Sequence, residues 1–130
     1  MLTPNSPIYL HSDLHSALKR LSDSDKTIHR SFIIGGASVY AEVLTLSSAS
    51  HLIPPAISDR ILLTRIMSPA FEQCDVFMPD FRADKTSKDG VGWQRAPHAD
   101  LQAWAEFEVP EYVQEENGVQ YEFQMWVRQS

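Results

Sequence analysis

The chain has 130 residues, of which 43% are hydrophobic and 22% are charged. This length and composition fit one globular domain at most, supply enough apolar residues for a core, and exclude a globally disordered chain. The net charge is −6 and the eleven basic residues do not cluster, so we do not expect a nucleic-acid-binding surface, which needs a basic stripe.

The first predicted elements are a short strand and an amphipathic helix. Residues 8–10, Ile-Tyr-Leu, follow a proline-rich lead and are typical of a short strand. After them, Ser12 or Asp13 is suited to cap a helix, whose apolar residues recur with the period of one helical face. These apolar residues are Leu14, Ala17, Leu18 and Leu21. The polar run at 22–25 ends the predicted helix.

The segment 32–46 carries the strongest functional signal in the chain. The apolar run 32–34 is typical of a buried strand, which stops at Gly35-Gly36, and a helical pattern begins at once. Its apolar face is formed by Val39, Tyr40, Val43 and Leu46. Adjacent glycines let the backbone approach a ligand closely, and the free amides of a new helix favour an anion such as phosphate. With the Ser38 hydroxyl as a further donor, this predicts half of a nucleotide-binding cradle, although a plain turn explains the glycines equally well if they are taken alone.

The middle of the chain is predicted to contain one strand between irregular segments. Residues 47–59 are predicted as a loop because they are rich in serine and contain two adjacent prolines. The strand predicted at 60–66 has little polar alternation, which indicates that both of its faces are covered. Residues 74–81 are predicted as a compact apolar turn, and the polar residues 82–100 as a surface loop around Trp93.

A hairpin is predicted at the end of the chain, with strands at 105–113 and 119–127. The Asn-Gly pair at 117–118, between these runs, is a strong turn signal. Strands and helices alternate before this hairpin, which predicts an α/β fold with a mixed, mostly parallel sheet flanked by helices. Ligands of such sheets bind beyond the carboxyl ends of the strands, which is where Gly35 and Gly36 lie.

Two other candidate sites are weaker. His11 and His15 are four residues apart, a spacing that suits metal ligands, but no third ligand has a matching position. We therefore expect solvated histidines and no metal site. Cys74 stands beside Asp75 without a histidine placed to activate it, and we expect a buried structural thiol. This single cysteine, the absence of a long apolar run and the absence of a secretory signal predict a cytoplasmic protein without a membrane anchor.

Four segments of the chain fall into one pattern. They are Ile33-Ile34-Gly35-Gly36-Ala37-Ser38-Val39-Tyr40, Ile61-Leu62-Leu63-Thr64-Arg65-Ile66, Asp75-Val76-Phe77-Met78-Pro79 and Gln114-Glu115-Glu116-Asn117-Gly118-Val119-Gln120-Tyr121-Glu122-Phe123. In this order and spacing they resemble the C-terminal half of dihydrofolate reductases of a eukaryotic, fungal type. The resemblance runs from about Ile8 to Arg128 and implies one partial dihydrofolate-reductase-like domain over residues 1–130.

The resemblance implies NADPH as the cofactor and dihydrofolate as the substrate. The glycine pair matches a pair that the family joins by a cis peptide, and the next four residues match a segment that contacts the pyrophosphate and nicotinamide side of NADPH. The positions that correspond to cofactor contacts are Ile34, Gly35, Gly36, Ala37, Ser38, Val39 and Tyr40, with Ser12 and Leu14 near the adenine end. Two positions correspond to the substrate side: Ile34 lines the pocket between nicotinamide and pterin, and Thr64 matches a threonine hydrogen-bonded to the pterin-binding carboxylate.

The resemblance also implies a departure from the family. The catalytic acid, the mobile loop over the nicotinamide, the residues that grip the folate tail and the basic residues for the 2′-phosphate all belong to the family's N-terminal half, which has no counterpart here. No catalytic residue is therefore assigned, and we expect little or no turnover from this chain. That half also supplies a central strand between those at 32–34 and 60–66, so we expect exposed sheet edges that favour self-association.

Two alternatives remain open at this stage. One is a non-catalytic remnant or interaction module on the same fold, which would bind a partner through the open sheet edge. The other is a related reductase of the riboflavin-biosynthesis type. The segment around Thr64 and the ending at 121–126 favour the folate enzyme over this second alternative.

Overall fold

The computed structural model describes residues 8–23, 28–45, 59–82 and 92–128. The chain divides into two compact units, Met1–Ile57 and Ser58–Ser130. Three of the expected features fall partly or wholly outside the described residues: most of the loop at 47–59, the end of the helix at position 46, and the first part of the polar loop after residue 82.

The first unit contains two short helices. Helix α1 spans Leu14–Ser22, and its N-cap is Asp13, whose side chain accepts a hydrogen bond from the Ser16 amide at 2.7 Å. Helix α2 spans Ala37–Thr45. Both helices were predicted, and their boundaries agree with the expectation within one or two residues. Leu18 of α1 and Val43 of α2 are buried, as the apolar spacing requires.

The prediction of two strands in this unit is wrong. Residues 8–10 and 31–36 have no regular secondary structure, and Ile34 is 89% exposed. A run of only three apolar residues forms a strand only when a neighbour pairs with its backbone. Within the described residues, neither segment has such a neighbour.

The second unit is a four-stranded sheet with one helix. Its strands are β1 (Arg60–Ser68), β2 (Trp93–Arg95), β3 (Gln114–Glu116) and β4 (Val119–Arg128), and its helix α3 spans His98–Ala105. Strand β4 is the centre of the sheet because β1, β2 and β3 all pair with it.

The expectation of a mostly parallel sheet is wrong for the described strands. All three pairings with β4 are antiparallel. The strands expected to run parallel were those at 8–10, 32–34 and 60–66. The first two segments do not join a sheet in the described part of the chain, and the third, β1, is antiparallel to β4. What remains is an antiparallel sheet with helices, which is compatible with a dihydrofolate-reductase-like α/β fold.

The prediction of a C-terminal hairpin is confirmed for its turn, but its first strand was predicted at the wrong residues. Asn117 and Gly118 have φ values of 51° and 79°, the left-handed pair that a two-residue hairpin turn requires. The first strand, however, is only the three residues of β3, and the segment predicted as strand at 105–113 is otherwise irregular. The predicted surface loop at 82–100 likewise contains β2 and the start of α3.

The core of the second unit lies between α3 and one face of β4. Leu101, Val109 and Met125 are buried together, with Met125 only 2% exposed. The opposite face carries an aromatic group in which Phe81 meets Trp93 and Trp126 edge-to-face, with centroid distances of 6.1 and 5.5 Å. The sheet is therefore packed on both faces, by the α3 cluster on one and by aromatic rings on the other.

Strand β1 is less covered than its apolar sequence predicts. Leu62 is 49% exposed and Ile66 is 45% exposed, so the expectation that both faces are covered is wrong. The reason is that α3 packs against β4, and no other described helix of this unit covers β1. Cys74 is also exposed, which corrects the expectation of a buried thiol.

Candidate functional site

The glycine pair forms a sharp corner at the start of α2. Gly35 has a φ of +116°, in the region that favours glycine, and the Gly35–Gly36 peptide is cis, as the resemblance implies. The carbonyl oxygen of Gly36 accepts a hydrogen bond from the Tyr40 amide at 3.0 Å. This bond starts the helix immediately after the corner.

The start of α2 offers hydrogen-bond donors that suit an anion. The first amides of a helix have no acceptor within that helix, and here they belong to Ala37, Ser38 and Val39. The first turn contains no acidic side chain, and both Gly36 and Ser38 are exposed. Since the helix dipole adds a partial positive charge at this end, the donor set fits the phosphate groups of a dinucleotide.

The ring of Tyr40 closes one side of the corner. A Cβ atom placed on Gly35 would lie 3.6 Å from the Tyr40 hydroxyl oxygen, whereas one placed on Gly36 would meet nothing within 4 Å. The corner is therefore open on the Gly36 side. Ile34, which directly precedes it, is almost fully exposed, so the predicted cofactor residues from Ile34 to Tyr40 form one contiguous and accessible segment.

The remaining predicted site residues lie elsewhere. Ser12 is exposed and Leu14 is half-buried at the start of α1, in the same unit as the corner. Thr64 belongs to the second unit, where it stands in β1 opposite Phe123 and is exposed. The predicted cofactor residues thus lie in the first unit, and Thr64, which was predicted for the substrate side, lies in the second.

The start of α1 depends on one carboxylate. Hydrogen bonds from the Ser16 backbone and side chain lower the pKa of Asp13 below its ordinary value of 3.8, and the nearby His15 and His11 act in the same direction. A lowered pKa means that the folded helix prefers the charged form, so the cap stabilises α1 above pH 3.8. This contribution is lost as the pH falls through the lower pKa of the folded state.

Replacing Asp13 with asparagine tests this linkage. Asparagine is also a good N-cap but carries no charge, so we expect Asp13→Asn to retain helix α1 and to lose the acid-dependent part of its stability. Far-UV circular dichroism between pH 2 and 6 (a range of about two units on each side of an ordinary aspartate pKa) measures the difference from the parent chain. An acid transition that is identical in both proteins would contradict the assignment to Asp13.

Sequence reasoning missed a cluster of side chains beside α1. His11 was expected to be solvated, but its Nδ1 lies 3.1 Å from the Ser16 hydroxyl, and its Nε2 accepts a hydrogen bond from Arg20 Nε at 3.0 Å. The Arg20 guanidinium also lies over the Tyr9 ring, 3.9 Å from its centroid. A signal was available, because helical side chains point toward the N-terminus and Arg20 follows Ser16 by one turn.

A metal site has no support in the described residues. Within those ranges no group of three histidine, cysteine or acidic side chains could hold an ion. In the same part of the chain, no helix is both long enough and apolar enough to cross a bilayer.

Comparison with known proteins identifies the chain's relatives. No family model matches it. A dihydrofolate reductase of Cryptococcus neoformans is 38% identical over 135 residues, which cover 95% of this chain and 57% of the relative. The dihydrofolate reductase of Pneumocystis carinii is 34% identical, with 98% and 61% covered. That of Aedes albopictus is 31% identical, with 93% and 52% covered.

The chain is similar to dihydrofolate reductases over nearly all of its own length. The similarity includes fungal relatives, in agreement with the resemblance of the four segments. The chain spans between half and two thirds of the length of the relatives it matches. The similarity to dihydrofolate reductases covers nearly all of this chain, including the cis glycine pair and the helix start that follows it.

Proposed function

We propose that this chain forms the cofactor-binding part of an NADPH-dependent dihydrofolate reductase, an oxidoreductase of one-carbon metabolism that makes tetrahydrofolate. The observation that carries the proposal is the open glycine corner at the start of α2, in a chain similar to dihydrofolate reductases. The single, exposed Cys74 suits a reducing compartment, and we include a cytoplasmic location in the proposal.

In this proposal each residue of the corner has one task. The glycine backbone allows close approach of the pyrophosphate, and the first amides of α2 with the Ser38 hydroxyl donate hydrogen bonds to it. The Tyr40 ring bounds the site and orients the nicotinamide side. When bound, NADPH supplies the hydride that reduces the imine of dihydrofolate.

The substrate side of the proposal uses two residues. Ile34, directly before the corner, would present an apolar surface between nicotinamide and pterin. Thr64 would orient the carboxylate that holds the pterin. We assign no residue of this chain to that carboxylate. The chain is therefore proposed to bind the cofactor and position it, without transferring the proton that completes the reduction.

A binding titration and a turnover assay test the proposal together. We expect NADPH fluorescence to change saturably as the purified chain is added, and we expect no dihydrofolate-dependent fall in NADPH absorbance. A full-length relative serves as the positive control for both measurements. Absence of saturable NADPH binding would refute the cofactor role. Turnover at the rate of the full-length relative would refute the proposal that this chain binds the cofactor without completing the reduction.

One observation favours a second candidate, a non-catalytic module that pairs with another protein chain. Within the described residues β1 pairs only on the side of β4, and Leu62 and Ile66 are about half exposed. An open strand edge with apolar side chains is a template for pairing. A monomer in size-exclusion chromatography would argue against this candidate. The relatives named above are dihydrofolate reductases, so no observation favours a riboflavin-type reductase.

A further inference from the structure

Strand β1 has an open edge without the features that usually protect one. Within the described residues, β1 pairs with β4 on one side and with no strand on the other. Edge strands are commonly protected by proline, lysine or a bulge. The run 59–66 contains no proline, glycine or lysine, and the register irregularity of the strand comes after Ile66. The edge is therefore suited to accept another strand.

The pairing with β4 determines which backbone groups face the open edge. The Arg128 amide donates a hydrogen bond to the Asp59 carbonyl oxygen at 3.0 Å, and the register then continues without a shift over most of the strand. The backbone groups of successive residues in an antiparallel strand point to alternate sides, so the odd-numbered residues bond to β4. The amides and carbonyls of the even-numbered residues therefore point to the open edge. These residues are Arg60, Leu62 and Thr64.

The charged side chains at this edge are spaced symmetrically about Leu62. Asp59 precedes Leu62 by the same distance in sequence as Arg65 follows it, and both side chains are exposed, Asp59 to 74%. An antiparallel strand of the same sequence, centred on Leu62, places Asp59 of each copy opposite Arg65 of the other. A shift by one residue instead places Arg60 opposite Arg65, which brings like charges together. Charge complementarity thus selects one register and a second copy as the partner.

The remaining rungs of this register are also matched. Leu62 meets Leu62 of the second copy at the two-fold axis, and Ile61 of each copy meets Leu63 of the other. Leu62 is 49% exposed, and the other two are half-buried, so pairing removes apolar surface from water. Arg60 meets Thr64, which carries no charge. Between positions 59 and 65, no rung joins like charges or pairs a charge with an apolar side chain.

We propose that β1 pairs with β1 of a second copy of this chain, in an antiparallel register centred on Leu62. The contact is isologous, so it closes after two copies and joins the two four-stranded sheets into one continuous sheet. The proposal names the partner for the open edge of the second candidate function and rests on that part of the proposed function. It is independent of the cofactor role of the glycine corner.

Exchange of the paired charges tests the register. We expect the parent chain to sediment as a dimer in analytical ultracentrifugation. Asp59→Arg or Arg65→Asp places like charges opposite each other twice and should weaken the dimer about tenfold or more, whereas the double variant that combines both changes should restore it. Asp80→Arg makes the same charge change at an exposed position outside the strands and should have no effect. A monomeric parent chain, or a double variant that dimerises no better than the single ones, overturns the proposal.

A disulfide between two copies tests the position of the axis. With Cys74 replaced by serine, Leu62→Cys places the two thiols on facing strands with their Cα atoms about 5.5 Å apart, a separation that a disulfide spans. Thr64→Cys lies on the same face of β1 but opposite Arg60 of the other copy, so it should not cross-link. Non-reducing electrophoresis measures both. Equal cross-linking of the two variants, or none with Leu62→Cys, overturns the register.

An NADPH titration of the same samples separates this proposal from the cofactor role. A dimer that does not bind NADPH would refute only the cofactor role of the glycine corner. A monomer that binds NADPH would overturn only the pairing of β1 with a second copy.

Discussion

Replacing Gly35 with alanine should impair both folding of the first unit and NADPH binding, whereas replacing Gly36 should impair binding alone. At a φ of +116°, a side chain at position 35 is strained, although the nearest atom of Tyr40 is at an ordinary contact distance of 3.6 Å. The dihedral angle, and not a steric clash, therefore determines the cost. A non-glycine residue in such a region costs roughly 1–3 kcal/mol.

Gly36 provides a matched control because its surroundings differ. A methyl group there meets no protein atom within 4 Å, so the fold should be preserved. The same methyl group would lie on the open side of the corner, where the pyrophosphate is proposed to approach, and we expect NADPH affinity to fall about tenfold, or about 1.4 kcal/mol. Thermal unfolding by circular dichroism and NADPH titration distinguish the two effects. Unchanged NADPH affinity in Gly36→Ala would show that the cofactor does not bind at this corner.

Truncation of Met125 to alanine should destabilise the second unit by about 2–5 kcal/mol, the usual cost of a large cavity in a core. Met125 is 2% exposed and packs with Leu101 and Val109. Leu62 stands directly opposite Met125 in the β1–β4 register but is 49% exposed. The two positions share one rung of the sheet and differ mainly in burial.

The comparison with Leu62→Ala makes this prediction specific. We expect Leu62→Ala to cost less than about 1.5 kcal/mol, because about half of its side chain already contacts water. All three tryptophans lie in the second unit, so their fluorescence during urea unfolding reports on that unit. Equal losses for Met125→Ala and Leu62→Ala would show that the core is not centred on β4.

Elements with strong local signals were predicted correctly from the sequence. The Asp13 cap and the apolar spacing that follows it determine α1, and the Asn117-Gly118 pair determines the hairpin turn. The glycine corner and the helix start after it were also predicted, because they depend on neighbouring residues of the backbone; the cofactor role of residues 34–40 stays a prediction. In each case the interactions that form the feature lie within a few residues of one another.

Elements that depend on distant partners or weak caps were missed. Helix α3 begins after Pro97 without a side-chain cap and ends at Glu106, in a left-handed conformation usually taken by glycine. Strand β2 has only three residues, and it forms because Trp93 meets Arg128 across the sheet. The stacking of Arg20 on Tyr9 likewise requires a side-chain conformation that sequence spacing does not specify.

The central position of β4 has a consequence for how the protein is made. Because β1, β2 and β3 each pair with β4, and because β4 is the last of the four to leave the ribosome, none of these pairings can form while the earlier strands are being translated. The apolar side chains of β1 therefore lack their cross-strand neighbours in the nascent chain until β4 has been synthesised. During that interval they are candidates for protection by a chaperone.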